Sequence, residues 1–301
     1  MRVRRDDGAR AARAVAVAAV VLVLTAACGD AAPDVTPDAP PVTSPAVTLP
    51  APTGVGTATH DVAGPPAGAV VDYQLGGGYP PAAGIGGVVR DVTDVPEPGM
   101  WSGCYVNGFQ TQPAEREAWL ADHPDLVLRD DDGEPVIDPG WPDELLLDTS
   151  TAEQRAAIAG VVGAQVTACA ERGFDAVELD NLDSWTRSDG RLTEDGAVDL
   201  AARLVAVGHA AGLAVGQKNA PDLGTRGRDE AGFDFAVAEE CLQYDECAAY
   251  TDVYGDAVVD IEYEADDWSG VCADPQRPTS TILRDRDLRT PDDDGYVLET
   301  C

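Results

Sequence analysis

Short β-branched runs return along this chain from Ala69 to Asp285, and helical spacing fills most of the gaps between them. The runs are AVVDYQL (69–75), GVVRDVT (87–93), SGCYVNG (102–108), LLLD (145–148), DAVELDN (175–181), LAVGQKN (213–219), FDFAVAEE (233–240), AVVDIEYE (257–264) and TSTILRD (279–285). The clearest helices fall at 151–171 and 193–211, where alanine, leucine and valine recur at helical intervals among polar residues. Strands alternating with helices over such a length point to a parallel α/β architecture. If LLLD is a loop element, eight strands remain, enough to close a (β/α)8 TIM barrel. A doubly wound sheet is the competing form, but nothing like GxGxxG opens a helix after the first strand to support a dinucleotide site.

The finish of these runs is as regular as their start. Each is apolar where it begins and acidic or amide-bearing where it stops: Asp72 and Gln74, Asp91, Asp180 and Asn181, Lys218 and Asn219, Glu239 and Glu240, Glu262 and Tyr263. A parallel barrel brings all these ends to one face, where barrel enzymes hold their chemistry. Carboxylates gathered there repel one another, a cost seldom kept for stability alone. Within DAVELDN the two-residue period turns Val177 and Leu179 towards the helices and Glu178 and Asp180 towards the barrel axis. Asp180 then sits at the mouth, with Glu178 one layer deeper as a partner for Lys218 on the neighbouring strand.

The start of the chain addresses a compartment. Arginines at positions 2, 4, 5, 10 and 13 precede an uncharged run from Ala14 to Ala27, too short to span a bilayer, which ends in LTAAC. Residues 1–27 therefore read as a signal peptide, with Cys28 as a lipidated N-terminus that anchors an extracellular protein to the membrane; ordinary secretion is the alternative. Residues 28–66 are rich in Pro, Ala and Thr and cannot form a core, so they read as a disordered tether. The domain proper is expected over 67–301.

The remaining cysteines, Cys104, Cys169, Cys241, Cys247, Cys272 and Cys301, are even in number, which in an oxidising compartment favours disulfides. Cys241 and Cys247 flank a short polar segment and are the first pair expected; Cys272 with Cys301 would pin the tail, and Cys104 with Cys169 follows by elimination. No CxxC pair or His/Cys cluster supports zinc, and neither metal nor cofactor is expected. DDDG at 130–133 and 292–295 reads as turn chemistry rather than a calcium site. A formal net charge of -34 excludes nucleic acid as a partner; it reads first as a solubility feature, with attraction of a cationic substrate as the alternative.

Taken in order, GFDAVELDNLD, GQKN, FDFAVAEECLQYDEC and VVDIEY, with VDYQL, GCYVNG and WPDELLLD before them, resemble the glycoside hydrolase family 114 endo-α-1,4-polygalactosaminidases over about 67–301. A monomer is expected. The resemblance implies a (β/α)8 barrel that hydrolyses α-1,4 links in galactosamine-containing polysaccharide without a required metal. It further implies two catalytic carboxylates, Asp180 in LDN and Glu239 in EEC. One carboxyl group protonates the departing oxygen while the other attacks or activates water. Asp180 is assigned as nucleophile and Glu239 as general acid/base, for which a raised pKa with help from Glu240 is expected.

Ala238 stands where the family commonly has asparagine, and Tyr73 where an aromatic, often tryptophan, offers a sugar-stacking surface. Alternation from Phe233 puts Glu239 on the face of the two phenylalanines, which leaves Glu240 as the reserve acid. Substrate contacts are expected from Tyr73, Gln74, Asp91, Tyr105, Asp148, Asn181, Asp183, Lys218, Asn219, Glu262 and Tyr263, although Asp148 could equally cap the helix beginning near Ser150. A barrel that binds polysaccharide without cutting it, or a hydrolase of another α-linked glycan, are the competing functions.

Overall fold

The computed structural model describes residues 62–264 and 266–301. The expected signal peptide at 1–27, the lipidation site Cys28 and the tether as far as residue 61 lie outside the described residues. Eight parallel strands pair in chain order: β1 (Val70–Gln74), β2 (Ile85–Asp91), β3 (Trp101–Asn107), β4 (Ala176–Asp180), β5 (Ala214–Lys218), β6 (Phe235–Glu239), β7 (Val258–Glu262) and β8 (Ser280–Arg284). A short β9 (Leu298–Thr300), absent from the sequence expectation, joins β8 antiparallel. The barrel is nearly closed, with side chains bridging the seam. The backbone N–H of Val71 donates to Ser280 Oγ at 3.0 Å, and the buried Arg284 guanidinium reaches Asp72 Oδ1 at 3.1 Å and the Tyr73 carbonyl.

The helices are unevenly distributed. α1 (Arg116–Asp122), α2 (Ala152–Arg172), α3 (Glu194–Ala211), α4 (Cys247–Tyr254) and α5 (Trp268–Ala273) follow β3, β4, β6 and β7, while irregular segments alone join β1 to β2 and β2 to β3. The two longest stand where periodicity places them because their ends are capped. The hydroxyls of Thr151 and Thr193 accept from the N–H groups of Gln154 and Gly196, and Gly173 and Gly212 stop each helix in the left-handed region. LLLD forms isolated antiparallel bridges within the β3–α2 connection and contributes no barrel strand.

Alternation along the strands separates two apolar regions. Val71, Val89, Ala176, Ala214, Val237, Val259 and Ile282 fill the barrel above a floor in which Trp101 meets Phe235 edge to face, ring centroids 6.0 Å apart. On the outer face Val177, Leu179 and Val215 pack with Ile158, Val162 and Val166 of α2 and Leu200 and Leu204 of α3. Phe235 therefore belongs inside the barrel, so Glu239, of the same parity, points to the axis with no bulge required.

Three disulfides form as expected: Cys104–Cys169 ties β3 to α2, Cys241–Cys247 closes the loop after β6, and Cys272–Cys301 secures the end of β9. Both DDDG segments are turns, Asp130 Oδ1 accepting from the N–H groups of Asp132 and Glu134 and Asp293 Oδ2 from that of Thr290. Among the described residues no helix is long and apolar enough to cross a membrane.

The floor leaves no spare volume at Gly216, where an added Cβ would lie 2.5 Å from the Phe235 ring. Gly216→Ala is expected to lower stability by about 1–3 kcal/mol, the usual cost of overpacking, with the loss read from thermal unfolding.

Candidate active site

Above the apolar layers the barrel interior turns ionic. Lys218, at the end of β5 and 3% exposed, has its Nζ 3.3 Å from Glu178 Oε1, 3.7 Å from Asp180 Oδ1 and 3.3 Å from Glu239 Oε2. It also donates to Tyr73 Oη at 3.1 Å, and that hydroxyl in turn donates to Glu178 at 2.7 Å. Tyr105 Oη donates to Asp180 Oδ2 at 2.7 Å while the backbone N–H of Asn181 holds Oδ1. Glu239 is held by Asn219 Nδ2 at 3.1 Å, by the hydroxyl of Tyr263 and by Lys218. Two carboxylates from β4 and β6 thus face one cleft across a shared ammonium, each oriented by an aromatic hydroxyl.

The backbone turns sharply where these strands end. Asn181, Asn219 and Glu240, each directly after the strand that carries Asp180, Lys218 or Glu239, have φ of 62°, 49° and 59°. Asparagine tolerates the left-handed region better than most residues, whereas glutamate there is strained. The turn at Glu240 aims its carboxylate at Arg286, 2.7 Å away, and off the cleft wall.

Burial pushes the Glu178 carboxyl up to about 7, against the pull of Lys218 and with repulsion from Asp180 adding to the rise. Its Oε2 is buried with no hydrogen-bond partner among the described residues, so this acid is the one suited to hold a proton. Glu239 behaves oppositely to expectation. Burial favours its neutral form, but Lys218, Tyr263 and Asn219 together outweigh burial and hold it below the usual glutamate range. The expected help from Glu240 is missing because Glu240 is paired with Arg286.

One wall of the cleft comes from the long connection between β3 and α2. Asp138 pairs with Arg187 at 2.7 Å, and its Oδ1 collects the N–H groups of Gly140 and Trp141. This tight turn lifts Trp141, 63% exposed, to the rim and leaves Glu144 facing inward, where Asn107 Nδ2 donates to it at 3.1 Å. Burial pushes the Glu144 carboxyl up to about 7. The enclosed volume is about 550 Å³, enough for one or a few sugar rings.

The family description "Glycoside-hydrolase family GH114" matches residues 52–301. The chain belongs to this family. It is a GH114 glycosidase built on a TIM-type barrel, as the resemblance implies. No curated protein matches the chain. Among solved structures, Aspergillus fumigatus Ega3, crystallised in complex with galactosamine, matches with a TM-score of 0.62 at 21% identity over 79% of this chain and 97% of that one. The glycoside hydrolase domain of PelA from Pseudomonas aeruginosa gives 0.50 at 15% identity over 73% and 95%. At such identities the likeness concerns the fold alone.

Within the GH114 cleft the structure brings together Asp91, Tyr105, Asp180, Asn181, Asp183, Lys218, Asn219, Glu239 and Tyr263. Four other sequence-predicted contacts lie elsewhere. Tyr73 is fully buried, so its ring offers no stacking surface and only its hydroxyl serves the network below the cleft. Gln74 faces outward, held by Asp72 and Arg90. Asp148 accepts from Ser150 N and Gln154 Nε2 beside the start of α2. Glu262 has the outward parity of Val258 and accepts from Leu242 N, bracing the loop after β6 from behind.

Asp138, Trp141, Glu144 and Arg187 were missed by strand-end reasoning because they sit on connections with no strand period. The quoted WPDELLLD segment already contained two of them.

The raised Glu144 carboxyl carries a stability consequence. A folded-state pKa of about 7 against an ordinary 4.5 means that the folded protein holds this proton more tightly. The stabilisation is complete below pH 4.5 and is lost as pH rises through 7. Glu144→Gln should therefore melt above the parent protein at pH 8, by on the order of 1–3 kcal/mol, with the gap closing towards pH 5 in a thermal-unfolding series.

Proposed function

We propose that this GH114 protein is an extracellular hydrolase of α-1,4 links in galactosamine-containing polysaccharide, with Asp180 as nucleophile and Glu239 as general acid/base. The observation that carries this reading is the pair of carboxylates held on either side of the Lys218 ammonium at the cleft floor. Asp180 attacks the anomeric carbon while Glu239 gives its proton to the departing glycosidic oxygen. Glu239 then takes a proton from the water that releases the sugar from Asp180. Both acids contact one nitrogen, and direct attack by Asp180 with retention of configuration is part of the proposal.

Glu239 begins ionised in the free protein. A sugar covering its solvent-facing side removes water from the carboxylate and pushes its pKa upward, so substrate binding itself prepares the acid. Tyr105 and the Asn181 N–H keep Asp180 oriented as charge leaves it. Trp141 at the rim suits stacking against a sugar face. A substrate of deacetylated galactosamine, the sugar bound in the Ega3 structure, is cationic and meets a wall with six carboxylates.

The test uses the purified full chain with partly deacetylated galactosaminogalactan, released oligosaccharides being read by mass spectrometry. Asp180→Asn and Glu239→Gln should each lower turnover by about a thousandfold or more. Retention of polymer without cleavage by any form would support the binding module instead. Neither cleavage nor retention would mean that another glycan is the substrate.

An extracellular location fits three disulfides, and we extend the proposal to anchoring through a lipid on Cys28. Cys28→Ser should move the protein from the membrane fraction into the medium, as followed by immunoblot; an unchanged distribution would remove the lipid anchor.

A further inference from the structure

Charge along the cleft wall does not balance. Lys218 serves Asp180 and Glu239 at 3.7 and 3.3 Å, and Arg187 serves Asp138 and Asp183 at 2.7 and 2.8 Å. Arg286, the remaining cation of the wall, is engaged by Glu240 at 2.7 Å. Two carboxylates of the wall, Asp91 and Glu144, have no ion pair among the described residues.

These two differ in what already occupies them. Asp91 has both oxygens bonded, Oδ1 by the Thr93 N–H and hydroxyl at 2.9 and 2.6 Å and Oδ2 by Gln112 Nε2 at 3.1 Å. Glu144 is 9% exposed, and its donors converge on one oxygen: Oε2 accepts from Asn107 Nδ2 at 3.1 Å and from Asn181 Nδ2 at 3.5 Å. Among the described residues no group donates to Oε1. A carboxylate nine-tenths buried with no ion pair among the described residues is costly to keep ionised. At the edge of a binding cleft that cost is removed by whatever enters.

The chemistry of the entrant is constrained. An anion would be repelled, since Asp180 and Asp138 already act on Glu144. A hydroxyl or acetamide offers one donor and no charge. A protonated primary amine offers both a charge and several donors.

Resting on the galactosamine reading above, we propose that Glu144 is the specificity residue for the amino group: its free Oε1 accepts a charge-assisted hydrogen bond from the ammonium of a hexosamine unit in the cleft.

Asn107 at the end of β3 and Asn181 after β4 hold the other oxygen, so the acceptor is presented in one orientation. The titratable and charged groups facing it are Asp180, Asp138 and Arg187. In the free protein burial raises its pKa, Asn107 and Arg187 oppose the rise, and Asp180 and Asp138 add to it. A bound ammonium favours the ionised form, whereas an N-acetylated unit supplies no charge to do so.

Binding is measured by calorimetry on the full chain carrying Glu239→Gln, with and without Glu144→Gln, using galactosamine oligomers and their N-acetylated counterparts. Adding Glu144→Gln should weaken binding of the charged oligomer by about ten- to a hundredfold, with a far smaller change for the acetylated one. Equal losses for both oligomers, or an unchanged preference, would overturn the assignment; circular dichroism of the double variant separates misfolding from lost recognition. If the parent chain cleaves neither polymer and Glu239→Gln binds neither oligomer, the galactosamine reading itself fails. Binding and cleavage of charged polymer with preference unaltered by Glu144→Gln would sink only the role of Glu144.

Discussion

The buried ammonium of Lys218 is the interaction on which the upper half of this barrel depends. Moving a charge of that kind out of water is expensive, and one carboxylate alone rarely repays it. Here three carboxylates from β4 and β6, together with the Tyr73 hydroxyl, surround it. Burial opposes its charge, but Asp180, Glu239 and Glu178 win and hold its pKa well above the usual lysine value. The same contact aligns the two acids proposed for chemistry, so stability and function draw on one set of bonds. Glu178, deepest of the three and with one oxygen unpartnered among the described residues, can yield its charge when the site is crowded with anions.

A second constraint comes from what covers the sheet. Irregular segments follow β1 and β2, whereas α2 and α3 pack against β3, β4 and β5 and α4 packs against β6 and β7, so helices cover the barrel from β3 to β7. The long β3–α2 connection carries only the short α1 and otherwise folds over the mouth through antiparallel bridges. That is how a run of loop residues comes to form a wall of the cleft, with Arg187 joining Asp138 to Asp183 across it. The disulfide at Cys241–Cys247 and the outward acids Asp260 and Glu262 restrain the loop after β6 in the same way from behind.

Much of this was legible in the chain. Period-two alternation placed Glu178 and Asp180 inward with Val177 and Leu179 outward, and the helical spacing of alanine, leucine and valine marked α2 and α3 within a residue or two. The same alternation, applied to AVVDIEYE, would have turned Glu262 outward and Tyr263 inward; acidity at a strand end was too blunt a guide there. Gln74 and Tyr73 show the reverse problem, since both are near the mouth in sequence yet end in the outer layer and below the floor of the cleft. Parity can be read from a strand, but depth depends on how neighbouring strands are staggered.

The sequence by itself determined the eight parallel strands of the barrel, the family and the identity of the acids at the ends of β4 and β6, because these follow from local period and from ordered motifs; the antiparallel β9 was not legible in it. Tertiary structure alone decided which charges neutralise one another. Lys218 meets Tyr73 across 145 positions, and among the described residues Glu144 has no ion pair, Arg187 being engaged by Asp138 and Asp183. Coulombic pairing and desolvation depend on distance and burial, which are properties of the folded barrel and have no period along the chain.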